Sequence, residues 1–173
     1  MRRIPLLSLL TALALAAGLA HPASATVSSA GTTFVGACPL TSFTLTGKSG
    51  SINELPGPMT LSLHASGSLC AVNTTLGATA ILDVTLSSSS FGCFSGVASG
   101  TGGSFAATNV LTQSVGVILV NSGVTWTVFI NGLPTFSGAA AGVSFPVACS
   151  LGTPAPQLTA LGSLAFEDPQ PPS

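Results

Sequence analysis

Beyond Thr33 the chain alternates apolar and polar residues with a period of two. Phe43 and Leu45 alternate with Thr44 and Thr46. Met59, Leu61, Leu63 and Ala65 alternate with Thr60, Ser62 and His64. Ala80, Leu82, Val84 and Leu86 alternate with Ile81, Asp83 and Thr85. Val115, Val117 and Leu119 continue the pattern, as do Val124, Trp126, Val128 and Ile130, and then Val143, Phe145, Val147 and Cys149. A two-residue period turns one set of side chains to a core and the other to the opposite face of a strand. The β-branched and phenylalanine content suits a pleated surface.

Turn signals fall between these runs. Lys48 to Pro58 is a loop closed by Pro56-Gly57-Pro58, and Asn121-Ser122-Gly123 separates two apolar runs. Asn131-Gly132 supplies the positive-φ pair of a type I′ hairpin, which predicts that Val124–Ile130 folds back onto Leu133–Ser137. Pro134 cannot donate to a ladder, so the returning strand is expected at a sheet edge. Ser87 to Thr108, rich in serine and glycine, reads as short strands and turns pinned by Cys93, or as ligand-contacting loops. These elements predict one all-β domain. Its expected architecture is a two-sheet antiparallel β-sandwich of eight to ten short strands, stapled by disulfides; the alternative is a closed β-barrel.

The amino terminus changes the picture. Met1-Arg2-Arg3 is followed by an apolar run from Ile4 to Leu19 and by Ala23-Ser24-Ala25. This is the pattern of a secretory signal peptide cleaved after Ala25. The expected organisation is a signal peptide at 1–25, a domain at 26–167 and a flexible tail at 168–173. No second apolar run reaches the roughly 18 residues of a membrane-spanning helix, so the expected location is secreted, without a membrane span in the mature form. The Ala-, Gly- and Thr-rich style suggests a bacterial source; Asn73-Thr74-Thr75 would be a glycosylation acceptor only in a host that uses one.

From Thr26 onward one lysine, Lys48, stands against four carboxylates, Glu54, Asp83, Glu167 and Asp168, a formal charge of −3. Without clustered Lys and Arg, nucleic-acid binding is not expected. Solubility falls to Ser, Thr, Asn and Gly, a weak defence against self-association. Cys38, Cys70, Cys93 and Cys149 all follow the signal and read as two disulfides. The favoured pairing nests Cys70–Cys93 inside Cys38–Cys149, among the three pairings possible. Zinc is disfavoured, because no CxxC pair exists and His64 is the only histidine of the mature segment.

Catalytic groups are few. A hydrolase could use His64 as base, Asp83 to orient it and a downstream serine. No GxSxG elbow is present, and His64 falls on the polar register of its strand. The carboxylates lack the Asp-x-Asp spacing of a calcium loop and read as solubilising charges. Trp126 shares the register of Val124 and Val128 and is expected in the core, whereas Phe129 faces the other way. No catalytic, cofactor or metal site is assigned. The expected role is a secreted, non-catalytic structural or surface-interaction protein with weak self-association. The alternatives are an extracellular binding module for a small apolar or glycan ligand, and, third, a His64/Asp83 hydrolase.

Overall fold

The computed structural model describes residues 34–108, 111–132, 135–144, 149 and 152–169. The signal peptide, Leu133 and Pro134 of the expected hairpin, Phe145–Ala148 and the last four residues of the expected tail lie outside these. Eight strands follow in order: β1 (Phe34–Gly47), β2 (Gly57–Val72), β3 (Thr75–Phe91), β4 (Ser95–Ala107), β5 (Leu111–Ser122), β6 (Thr125–Gly132), β7 (Ser137–Ser144) and β8 (Gln157–Asp168). Each pairs antiparallel with the next. β8 returns to β1, from Phe34 opposite Asp168 to Thr46 opposite Gln157, and closes the sheet.

The architecture is therefore the closed barrel and not the two-sheet sandwich. The difference lies in strand length. Gly and Ser clusters suggest frequent breaks, yet β3 runs for 17 residues through Ser87–Ser90 and β4 for 13 through seven glycines and serines. Strands this long can tilt around an axis until first and last meet. Register shifts between Asp83 and Ser87, and between Gly100 and Gly103, absorb the extra curvature where glycine and serine are dense.

The two-residue period is realised as inside and outside. Phe43, Leu45, Leu63, Leu82, Leu119 and Ile130 point inward and are buried, as is Trp126. An eight-stranded barrel is just wide enough for its own side chains to fill. One end is closed by Phe105, Phe136 and Phe166, with Phe105 ring centroids 4.9 and 4.8 Å from the other two. At the other end Ile52 and Ala155 exchange backbone hydrogen bonds of 2.7 and 2.9 Å, which draws the loops after β1 and β7 together. Asn121 completes that end. Its buried amide donates to the carbonyls of Gly92 and Cys93, at 2.9 and 3.0 Å, and so fixes the β3–β4 turn.

Several local expectations differ from the structure. Asn131-Gly132 does not turn the chain: Asn131 is still paired with Ser137, and Gly132 N–H donates to the Phe136 carbonyl. The returning strand thus begins at Ser137. It is bonded to β6 on one side and β8 on the other, so it is not an edge. Val143 faces outward and Ser144 inward, the reverse of the expected register. Val124 lies in the β5–β6 turn and is half exposed.

The disulfide pairing also differs. Cys38 joins Cys70 and Cys93 joins Cys149, and no described cysteine is free. The reason is topological. Cys70 and Cys93 lie at opposite ends of β3, about 50 Å of extended chain apart, whereas a disulfide needs Cα atoms within about 7 Å. Cys38 and Cys70 instead sit on paired neighbours, β1 and β2, with Cα atoms 4.0 Å apart. Cys93 and Cys149 belong to the loops at one barrel end, 6.1 Å apart.

Candidate functional site

His64 and Asp83 meet on the outer wall formed by β2 and β3. The register Thr44–His64–Asp83–Ser104 forms one outward row across β1 to β4. His64 Nδ1 lies 2.7 Å from Asp83 Oδ1, with both side chains about half exposed. Opposition in adjacent strands explains the contact, since directly opposite side chains stand roughly 5 Å apart. The two residues of the hydrolase hypothesis are thus brought together, and the hydroxyls of Thr44 and Ser104 flank them in the row. The arrangement lies on the outside of a barrel wall, which faces water. Among the described residues, no three His, Cys, Asp or Glu side chains converge in a way that could hold a metal ion.

The remaining ionisable groups do not join this pair. Glu54 is exposed in the β1–β2 loop. Lys48 Nζ donates to Thr85 Oγ1 at 3.0 Å. Glu167 accepts from Ser137 Oγ at 3.3 Å. Asp168 departs from the reading of all four acids as solubilising charges. It is buried at the end of β8, where it accepts from Gln113 Nε2 at 3.1 Å and Thr135 Oγ1 at 3.0 Å. These bonds tie β5 and the β6–β7 connection to the last strand. Asn73 is exposed in the β2–β3 turn, with its Oδ1 accepting from Val35 N–H at 2.9 Å.

The opposite side of the barrel has a different character. Residues 84–166 contain no Asp, Glu, Lys, Arg or His. β5, β6 and β7 therefore present a neutral exterior, from which Ile118, Phe129 and Val143 point out beside Leu161 of β8, between 42% and 66% exposed. Phe129 is where the sequence placed it, off the core register. Val143 is on the register expected inward, and Ile118 and Leu161 are exposed without a sequence expectation that marks them. The signal that could have found them is a strand apolar in both parities, such as Val115–Val120, within a long stretch that lacks charge.

Two open depressions lie on this face. One, of about 560 Å³, is lined by Phe129, Ala139, Ala165 and Glu167 among others; its neighbour, of about 350 Å³, runs from Thr127 to Pro39 over Ala139, Ala141 and Ala165. Their floor is shallow because β7 and β8 offer alanine and glycine where β6 offers phenylalanine. Gly162, on the inward register between Ala160 and Leu164, sets the close approach of these two strands: a Cβ at this position would collide with the Ala141 carbonyl and Gly142 Cα of β7. The geometry can therefore bind an apolar group on the outer wall, while the His64–Asp83 pair offers a proton-transfer dyad on the far side. The chain matches no protein-family model, no curated protein and no solved structure.

Proposed function

We propose that this protein is an exported, non-catalytic scaffold that acts by presenting its outer surface. The observation that carries the reading is the division of the barrel exterior. β1–β4 carry hydroxyls and the His64–Asp83 pair, with Val35, Leu40, Leu69, Leu76, Ile81 and Val97 exposed among them, whereas β5–β7 carry no ionisable group and present Ile118, Phe129 and Val143 beside Leu161 of β8. Contiguous exposed apolar area beyond a few hundred Å² marks interaction sites in soluble proteins. The filled interior supports the same reading, because recognition then falls to the wall. Two disulfides are compatible with an oxidising extracellular setting. No helix among the described residues is long and apolar enough to cross a membrane. The apolar interior and hydroxyl-rich β1–β4 wall are the reverse of a membrane-spanning barrel, whose apolar band encircles the outside.

A second reading, a binding module for a small apolar or glycan ligand, is favoured by the depressions beside Phe129. The hydrolase reading rests on the His64–Asp83 contact alone.

The test is complementation of a strain that lacks the protein. Replacing His64, Glu54 and Asp83 together is expected to preserve the phenotype, whereas Phe129→Ser combined with Leu161→Ser removes it. The reverse outcome, in a triple variant that folds, replaces this reading with the hydrolase. Export is checked separately by amino-terminal sequencing of the protein in the medium, which is expected to begin at Thr26.

A further inference from the structure

The neutral face carries a ridge and a groove side by side. Strand register sets Ile118, Phe129, Ala139, Ala165 and Ala37 in one outward row across β5, β6, β7, β8 and β1. The first two side chains are large and the other three are single methyl groups. The wall therefore steps down between β6 and β7, and the two depressions begin at that step, sharing Ala139 and Ala165. Each exceeds the roughly 150 Å³ that suffices for benzene.

We propose that the alanine-floored groove over β7 and β8 is the docking site of a second copy of this chain, which inserts Phe129 into it. The inference rests on the surface-presenting reading above and names its partner. A two-fold axis parallel to the strands, between β6 and β7, lays Phe129 over Ala139 of the second copy and Ile118 over its Ala165. The same operation lays the second copy's Phe129 over the first copy's Ala139. Such an interface is isologous: it closes at two and does not propagate.

Charge leaves this face open to a like partner. Two copies of formal charge −3 from Thr26 onward repel least when they meet through the face poorest in carboxylates. β6 and β7 lie diametrically across the eight-stranded ring from β2 and β3, which hold His64 and Asp83. Glu167 alone borders the groove. The two-fold places it against Gly116 of the second copy, and the two Glu167 side chains stand about three strand spacings, roughly 14 Å, apart. An exposed aromatic side chain in a patch poor in charge also fits the centre of an interface.

Area sets the strength. Four strands about 4.8 Å apart and three or four outward rows about 6.8 Å apart cover roughly 400–500 Å² per copy. A standard stable interface buries about 800 Å² per partner. The dimer is accordingly weak and concentration-dependent.

The experiment is sedimentation velocity of the disulfide-bonded protein recovered from an exporting host, over roughly 10 µM to 1 mM, the range of weak interfaces. The sedimentation coefficient is expected to rise with concentration to that of a dimer and no further. Ala139→Arg fills the groove with a charge and Phe129→Ser removes the knob. Each is expected to weaken association at least tenfold while the far-UV spectrum stays unchanged. Ser62→Arg, on the opposite wall, is expected to leave association as it is. A wild-type protein that stays monomeric throughout overturns the proposal, as does an Ala139→Arg variant that associates normally. A monomer that adsorbs to an apolar surface through Phe129 overturns the dimer but leaves the surface-presenting reading standing. Loss of the phenotype in the His64/Glu54/Asp83 variant with dimerisation intact does the opposite.

Discussion

Removing the ring of Phe105 tests whether the barrel is a filled scaffold or a container. Phe105 is fully buried on β4, and its ring lies edge-on to Phe166 and tilted against Phe136. Truncating a buried phenylalanine costs about 3–5 kcal/mol through lost transfer energy and the cavity left behind. Each aromatic pair contributes about 0.5–1.5 kcal/mol beyond buried area, and two pairs are lost, so Phe105→Ala is expected near the upper end, about 4–5 kcal/mol. Phe105→Leu keeps most of the apolar area and loses mainly the ring pairing, at about 1–2 kcal/mol. The assay is equilibrium unfolding in urea with disulfides intact. Trp126, the sole tryptophan, is buried toward the opposite end of the barrel, so its emission reports global unfolding without touching the mutated site. Far-UV circular dichroism must give the same midpoint. At roughly 3 °C per kcal/mol for a domain of this size, the alanine variant should melt about 12–15 °C lower. A cost below about 1.5 kcal/mol for Phe105→Ala would refute the argument. It would mean that this end of the barrel is not packed, and that the interior could hold a ligand after all.

Non-reducing peptide mapping is expected to return Cys38–Cys70 and Cys93–Cys149; a Cys70–Cys93 peptide would be incompatible with β3 as one continuous strand. Removing either bridge by paired Cys→Ser changes should cost roughly 4 kcal/mol by the chain-entropy model, slightly more for the longer loop. Gly162→Val forces β8 away from the Ala141 carbonyl of β7 and should destabilise by about 2–3 kcal/mol; a neutral result would show that the β7–β8 spacing is wrong. His64→Gln and Asp83→Asn should each change urea stability by less than about 1 kcal/mol, because an exposed pair contributes little. A larger loss would reveal a structural role for the pair.

The strand code was legible from the sequence because it needs only local information. Alternation through Leu61–Leu63–Ala65, Leu82–Val84–Leu86 and Trp126–Val128–Ile130 assigns inward and outward faces without reference to any other strand, and these positions are buried. The outward placement of His64, Asp83 and Phe129 follows from the same rule. The rule failed where local signals compete. Asn131-Gly132 is a hairpin sequence, yet its residues stay in register with β7 because the ladder bonds on both sides of β6 outweigh a turn preference. Leu158, Ala160, Leu164 and Phe166 carry the β8 alternation, but Gly162 interrupts it, so the local pattern does not mark the strand by itself.

What the amino-acid sequence determined by itself was the class of element, the face of most side chains and the poverty of charge. Those are properties of neighbouring residues and of totals. Only the tertiary structure decided that the sheet closes, which cysteines meet, that His64 touches Asp83, and that Phe129 stands beside an alanine-floored groove. Each of these depends on which strands are adjacent and in what register. The energy that selects closure, ladder hydrogen bonds between β1 and β8 together with burial of a common interior, arises between segments more than a hundred residues apart in the chain. A period-two pattern is compatible with a sandwich or a barrel; strand length and the pairing of the first strand with the last choose between them.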